Sequence, residues 1–200
     1  MQRITERNNS RSDRSWNNQA IAMYKFTPAA ESEAIVFGAA RPGYSEEQVN
    51  EWIEFMQSQE IRRICCLLAP DQLTPYANLL DLYRQTFGSD QVCWAPVEDF
   101  QIVAPRTLIY QILPFLALAN QRQEKVVVHC AGGIGRTGHV LAAWLVAGRG
   151  FSTQAAIAAV QQTGRNPYEA VMAAPFKGRN PWKVAVELNR LLDACNSISQ

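Results

Sequence analysis

Hydrophobic and polar residues follow two different periods along the chain, and these periods predict alternating strands and helices. Mostly apolar runs of strand length occur at residues 34–40, 61–69, 91–96 and 125–128. Between and after them, apolar residues recur at three- and four-residue spacing, which predicts helices at residues 46–58, 76–87, 105–121, 136–147, 153–162 and 181–194. Pro114 should kink the third of these helices. Strands that alternate with helices predict an α/β fold whose sheet is covered by helices on both faces.

Length and composition predict one globular domain with a polar N-terminal extension. With 200 residues, of which 48% are hydrophobic, the chain is long enough to bury a sizeable core. Residues 1–20 are rich in Asn, Ser and Arg and have few apolar positions, so we expect a mobile polar tail there. Residues 21–200 are then a single domain that ends in an amphipathic helix.

Charge, hydropathy and cysteine content argue against several classes of function. A net charge of +1 disfavours nucleic-acid and membrane-surface partners. No apolar run approaches the ~20 residues that span a bilayer, and the polar first 20 residues contain no signal peptide. Five cysteines without paired spacing indicate a reducing compartment, so we expect a cytoplasmic protein. Metal-ligand spacing is absent as well, and we expect neither a metal nor a cofactor; the sequence does not determine the oligomeric state.

The stretch at residues 125–138, KVVVHCAGGIGRTG, carries the candidate chemistry. Three glycines between Cys130 and Arg136 allow successive backbone N–H groups to point at one anion, and the N-terminus of the following helix faces the same point. These dipoles would stabilise negative charge on Cys130. Arg136 adds a planar fork for two phosphate oxygens. The stretch therefore predicts a nucleophile inside an oxyanion site.

This order of residues (His-Cys, five residues, Arg, then Thr) resembles the signature of the cysteine-dependent protein phosphatases, in particular the protein tyrosine and small atypical dual-specificity phosphatases. The resemblance covers about residues 34–172 and includes the Ala-Arg-Pro-Gly turn at 40–43 and the Asp-Phe loop at 99–100. It implies a short, mixed, mostly parallel sheet and a phosphatase-like catalytic domain. The phosphate-binding residues that it implies are Ala131, Gly132, Gly133, Ile134, Gly135 and Arg136.

Other interpretations of the same stretch are less complete. A cysteine after a β-run is often a small core residue, and a glycine-rich turn between strand and helix can serve only close packing. A nucleotide P-loop is disfavoured, because Cys130 stands where that loop requires Gly and Arg136 replaces its Lys. Rhodanese-like and arsenate-reductase-like loops also place a Cys before an Arg, and they are the main chemical alternatives.

The resemblance also implies a role for each polar residue of the site. Cys130 would be the nucleophile, and Asp99 would be the general acid, with the adjacent Glu98 as its rival. Side chains of neighbouring residues in an extended loop point apart, so only one of these two acids should face the cysteine. Thr137 would hydrogen-bond the cysteine sulfur, and His129 would fix the loop rather than carry a proton. The turn at residues 165–167 resembles one that supports the active-site loop in this family.

These features predict a metal-independent phosphatase that acts on phosphorylated proteins or peptides and prefers phosphotyrosine while tolerating phosphoserine and phosphothreonine. The five residues between Cys130 and Arg136 include no Lys or Arg, which disfavours multiply phosphorylated inositol substrates. The alternatives are a catalytically inactive phosphate-binding module and a phosphatase of a non-protein substrate, such as a phosphoinositide or an RNA 5′ end.

Overall fold

The computed structural model describes residues 17–196, and a five-stranded sheet lies at its centre. The strands are β1 (Thr27–Pro28), β2 (Val36–Ala40), β3 (Ile61–Cys66), β4 (Val92–Trp94) and β5 (Lys125–Cys130). Their order across the sheet is β1-β2-β5-β3-β4, and every neighbouring pair is parallel except β1 with β2. The predicted short, mixed and mostly parallel sheet is therefore confirmed.

Helices cover both faces of this sheet, as predicted. They are α1 (17–24), α2 (Glu46–Ser58), α3 (Pro70–Leu73), α4 (Leu79–Phe87), α5 (Pro105–Thr107), α6 (Leu113–Arg122), α7 (Gly135–Arg149), α8 (Thr153–Gln162), α9 (Glu169–Ala173) and α10 (Pro181–Cys195). Short 3-10 turns add Ser89–Gln91 and Ala174–Lys177. The capping box of Ser45 and Gln48 starts α2, and the Ser152 side chain caps α8.

Two predictions from the sequence need correction. The predicted polar tail of residues 1–20 is wrong for residues 17–20, which belong to α1, where Ala20 and Tyr24 are buried. Residues 1–16 lie outside the described part of the chain. The single helix predicted at residues 105–121 is divided into α5, a π-helical stretch (Leu108–Ile112) and α6, which contains Pro114. Proline lacks an N–H group, so the regular hydrogen-bond ladder cannot continue through it, and a π-stretch absorbs the change.

The core has two parts, one on each face of the sheet. Helices α6, α7, α8 and α10 pack on one face together with Val126 and Val128 of β5. Helices α1, α2 and α4 pack on the other face, where Val127 is buried. Cys65 and Cys66 divide between the two parts as predicted, since side chains alternate along a strand.

The sheet brings four loops together at one edge. The parallel strands β2, β3, β4 and β5 all end there, and open α/β sheets bind ligands beyond the carboxyl ends of their strands. The loops that follow contain residues 41–45, 67–69, 95–104 and 131–134. Within residues 17–196, no helix is long and apolar enough to cross a membrane.

Candidate active site

The loop between β5 and α7 places Cys130 at the carboxyl edge of the sheet. Cys130 is the last residue of β5 and pairs with Ala40 of β2, which leaves it only 2% exposed. Five residues later, Gly135 begins α7. The loop turns tightly through Gly133, whose φ of 68° lies in the left-handed region that favours glycine. The cysteine and the N-terminus of a 15-residue helix are therefore held at the two ends of one short loop.

Three successive carbonyl groups of this loop are hydrogen-bonded to donors outside it. These bonds run from Arg41 N–H to Ala131 O (3.3 Å), from Lys25 Nζ to Gly132 O (3.2 Å) and from the Arg165 guanidinium to Gly133 O. In a trans peptide the C=O and N–H groups point to opposite sides. The N–H groups of residues 132–134 therefore face away from these partners, which is the arrangement of an anion-binding cradle.

The glycines of the loop differ in how closely other atoms approach them. A Cβ added at Gly133 would lie 2.7 Å from backbone atoms of Ala39 and Ala40, and one added at Gly135 would collide with the Glu169 side chain. At Gly132, a Cβ would meet nothing within 4 Å. Gly133 and Gly135 are thus needed for close packing against β2 and α9, whereas Gly132 lies at the open side of the loop.

Arg136 joins the loop to two other loops of the same edge. Its side chain is 3% exposed, and Nη1 donates to Val97 O (2.8 Å) and to Gln72 Oε1 (2.7 Å). Its Nη2 pairs with Asp99 Oδ1 at 2.9 Å. Nη1 of the guanidinium is therefore held by a backbone carbonyl and a side-chain amide. Nη2 is held by a carboxylate, which a phosphate dianion could replace.

Of the two neighbouring acids, Asp99 is the one that contacts Arg136. The Asp99 side chain is 47% exposed, while Glu98 is exposed and its carbonyl closes a turn by accepting the Gln101 N–H (3.1 Å). Phe100, the next residue, has a φ of 60°, an uncommon value for a non-glycine residue. This left-handed residue lies directly after Asp99, within the turn that the Glu98 carbonyl closes.

Thr137 and His129 are both fully buried beside Cys130. The Thr137 hydroxyl has no hydrogen-bonding partner among the described residues, so the expected bond to the cysteine sulfur is not formed here. The His129 ring packs against Trp52 (5.2 Å between centroids) and Tyr83 (5.7 Å), which also contact each other. Burial, together with the charges of Arg136 and Arg41, lowers the pKa of His129 to about 3. The ring is therefore neutral and held by aromatic contacts.

Arg165 hydrogen-bonds the loop at residues 131–134. It lies in the turn at residues 165–167, which was predicted to support the active-site loop. Its guanidinium is buried and donates to Gly133 O, to Lys25 O (2.8 Å) and to Thr27 Oγ1 (2.9 Å). Burial lowers its pKa to about 10, which still leaves it charged at neutral pH. Arg165 thus ties the loop to the chain segment that links α1 to β1.

The donors of this site suit an oxyanion. They are backbone N–H groups, a helix N-terminus and a guanidinium, all of which bind negative charge. In the part of the chain that the structure describes, no three His, Cys, Asp or Glu side chains lie where they could hold a metal ion.

Comparison with known protein families agrees with this geometry. The family model for the catalytic domain of dual specificity phosphatases matches residues 47–172, more than half of the chain. The chain belongs to the dual-specificity phosphatase family. The match includes the loop after β5, both acids at 98–99 and the turn at 165–167, and it confirms the family that the sequence resembled.

Solved structures of other phosphatases share the fold of this dual-specificity phosphatase domain. Tk-PTP in its active form is 24% identical, with 82% of this chain and 97% of that chain covered and a TM-score of 0.60. Kinase associated phosphatase is 22% identical, covering 82% and 87% with a TM-score of 0.60. PTPMT1 in complex with PI(5)P is 13% identical, covering 88% and 99% with a TM-score of 0.65. At these identities the similarity establishes the fold.

Three residues of the phosphatase site were not predicted from the sequence. Lys25 reaches the loop from the end of α1, Gln72 reaches Arg136 from α3, and His139 of α7 contacts the loop that carries Asp99. Lys25 and Gln72 are isolated polar residues outside the signature, so no local pattern marks them. Only His139 had a signal, because a polar residue occupies an apolar stretch of a helix there.

We expect the two glycines of the loop to respond differently to the same substitution. Gly133→Ala should lower kcat/KM for p-nitrophenyl phosphate by about tenfold or more, because a left-handed non-glycine residue costs ~1–2 kcal/mol and its Cβ would strike β2. Gly132→Ala, the matched control, should retain activity. Steady-state kinetics and thermal unfolding of both variants check this. Equal losses in the two variants would contradict the assigned packing.

Proposed function

We propose that this domain is a metal-independent phosphatase that hydrolyses phosphoprotein monoesters through a phosphocysteine intermediate. The observation that carries the proposal is the loop after β5. Directly after Cys130 it carries N–H groups that face away from three hydrogen-bonded carbonyls, and at its end the Arg136 guanidinium pairs with Asp99. In kinase associated phosphatase, which shares the fold, the catalytic site also contains a cysteine.

In the first step, the Cys130 thiolate attacks phosphorus in line with the leaving oxygen. The S–P bond forms as the P–O bond to the substrate breaks, and charge spreads over the three equatorial oxygens. The loop N–H groups and Arg136 stabilise that charge because they are already oriented toward it. The substrate phosphate takes the place of Asp99 on Arg136, and Asp99 is then free to act on the leaving group.

Asp99 supplies the proton that the leaving oxygen needs. Asp99 donates its proton to the leaving alkoxide or phenoxide, which departs as the alcohol or phenol. In the second step, Asp99 accepts a proton from a water that attacks phosphorus, the S–P bond breaks, and inorganic phosphate and the Cys130 thiolate result.

Thr137 and His129 assist without carrying protons to the substrate. The Thr137 hydroxyl is buried and lacks another partner among the described residues, so it is free to donate to the Cys130 sulfur as the S–P bond breaks. His129 is neutral and packs against Trp52 and Tyr83, which suits a residue that fixes the end of β5.

We assign phosphotyrosine as the preferred substrate, with phosphoserine and phosphothreonine also accepted. Membership of the dual-specificity family supports this breadth. Phenoxide is a better leaving group than an alkoxide, which favours phosphotyrosine when the same acid serves both. Phe100, half-buried beside Asp99, supplies an apolar wall for an aromatic ring.

A phosphoinositide substrate is the second candidate, and two observations favour it. PTPMT1, whose fold is similar, was solved in complex with PI(5)P. Lys25 also adds an ammonium group at the outer side of the loop, 3.2 Å from Gly132 O, although residues 131–135 carry no basic side chain. A single lysine attracts a multiply phosphorylated ring less strongly than several basic side chains in the loop would. Phosphoproteins therefore remain the preferred substrate class.

Replacement of the nucleophile should separate binding from turnover. Cys130→Ser should abolish hydrolysis of p-nitrophenyl phosphate, because an alcohol at this position stays protonated, while vanadate binding measured by calorimetry should persist. Cys195→Ser is the matched control. That buried thiol donates to Leu191 O in α10, a serine hydroxyl can do the same, and activity should be retained. Substantial turnover by Cys130→Ser would exclude the proposed intermediate.

The loss of kcat on replacement of the general acid should depend on the leaving group of the substrate. Asp99→Asn should lower kcat by roughly 10²–10⁴ on phenyl phosphate, the usual scale for loss of a general acid, and by less on substrates with very good leaving groups. The basic limb of the pH–rate profile should disappear in the same variant. Glu98→Gln is the control and should behave like the wild type. If Glu98→Gln removes the basic limb instead, the acid has been misassigned.

A substrate panel tests the proposed function as a whole. We expect kcat/KM to be highest on phosphotyrosine peptides, lower on matched phosphoserine and phosphothreonine peptides, and lowest on soluble inositol phosphates and 5′-triphosphorylated RNA. Turnover should be unaffected by EDTA. Faster hydrolysis of an inositol polyphosphate than of every peptide would favour the second candidate. Absence of turnover on all substrates, with vanadate still bound, would identify an inactive phosphate-binding module.

A further inference from the structure

His139 makes a buried contact between the signature helix and the loop that carries Asp99. It lies in α7, three residues after Arg136, and is 1% exposed. Its Nε2 accepts the backbone N–H of Val103 at 3.1 Å, and Val103 is itself 1% exposed. The signature of Cys130, Arg136 and Thr137 does not include this histidine, and the reaction described above does not use it.

The imidazole must be neutral to make this contact. An Nε2 atom that accepts a hydrogen bond carries no proton, so the ring proton resides on Nδ1. Burial and the charge of Arg136 lower the pKa of His139 to about 4, while a hydrogen bond with the backbone of Gly135 partly opposes this shift. The ring therefore stays an acceptor throughout the neutral pH range.

Together, His139 and Arg136 hold the two ends of the acid loop, residues 97–104. Residues three apart on a helix lie on the same face, so both side chains of α7 meet this loop. Arg136 donates to Val97 O at the start of the loop, and His139 accepts from Val103 N–H near its end. Asp99 lies between these two attachment points.

The part of the loop between the attachment points needs such support. Phe100 is in the left-handed region, which costs a non-glycine residue free energy unless the surroundings impose it. Asp99 is nearly half exposed and has one described ion-pair partner, Arg136, which the substrate phosphate would occupy. Once the substrate phosphate has replaced Asp99 on Arg136, the position of Asp99 depends on how firmly the two ends of the loop are held.

We propose that His139 is a positioning residue that fixes the end of the acid loop and, through it, the carboxyl group of Asp99 relative to Cys130. This role rests on the proposed function of Asp99 as general acid. A side chain that only fills space in the core would need no acceptor atom at this point, whereas a positioning role requires the bond to Val103 N–H.

Two variants distinguish these roles. His139→Leu removes the acceptor and leaves the Val103 N–H buried without a partner, whereas His139→Gln can place an amide oxygen near the former Nε2 position. We expect His139→Leu to lower kcat on phenyl phosphate by about tenfold, the rate equivalent of one lost hydrogen bond, and to change KM little. His139→Gln should restore kcat to near the wild-type rate. On a substrate with a very good leaving group, both variants should match the wild type.

The decisive measurement uses the double variant that combines His139→Leu with Asp99→Asn. If His139 acts through Asp99, His139→Leu should cause no further loss of kcat in the Asp99→Asn background. Independent, multiplied losses would overturn the proposal, as would an equal loss on good and poor leaving groups. Vanadate affinity and thermal unfolding are measured on every variant, so that a general loss of structure is recognised. If His139→Leu does not fold, His139→Asn, whose amide is too short to reach Val103, takes its place.

A measurement on the wild-type protein needs no variant at all. Imidazole ¹⁵N chemical shifts should show the Nδ1–H tautomer for His139 at neutral pH, and an Nε2–H tautomer would overturn the proposal. The same assays distinguish a failure of the proposed function. Wild-type protein without Cys130-dependent turnover would refute the phosphatase mechanism, whereas normal wild-type turnover with unaffected His139 variants would refute only the role of His139.

Discussion

The buried guanidinium of Arg136 is the interaction on which the arrangement of the site depends. A charged group that is 3% exposed must be fully hydrogen-bonded, and its partners come from the loops after β3 and β4. These loops are brought within reach only because the strands before them are parallel and end at the same edge. One side chain therefore fixes three loops against each other, and any change in the order or register of the sheet would leave its charge unpaired.

The surrounding core keeps this edge rigid. Helix α7 is buried along most of its length, so the residues of its first turns have a defined orientation toward the acid loop. On the opposite face, Trp52 and Tyr83 both pack against His129, near the end of β5. Aromatic packing on one face and helix packing on the other leave Cys130 with little freedom, which is what a nucleophile that must attack in line requires.

The elements and the signature loop were predictable because their signals are local. The period of apolar residues marks strands and helices, and glycines between Cys130 and Arg136 mark a loop that exposes backbone N–H groups. Lys25, Gln72 and His139 were missed because their partners lie 107, 64 and 36 residues away. Helix α1 was missed for a related reason. Its first three residues are polar and continue the polar stretch before it, and only contact with α2 and the sheet buries Ala20 and Tyr24.

The hydrogen bonds to the carbonyls of residues 131–133 affect when the active-site loop is completed during folding. Two of the donors, the Arg41 amide and the Lys25 ammonium, belong to the first 41 residues, and the Lys25 partner is 107 residues away. Contacts of such long sequence separation require closure of large chain loops and form slowly. The anion cradle is thus completed only when the N-terminal part of the chain has joined the sheet. The residues matched by the family model alone, 47–172, lack both donors as well as β1 and β2.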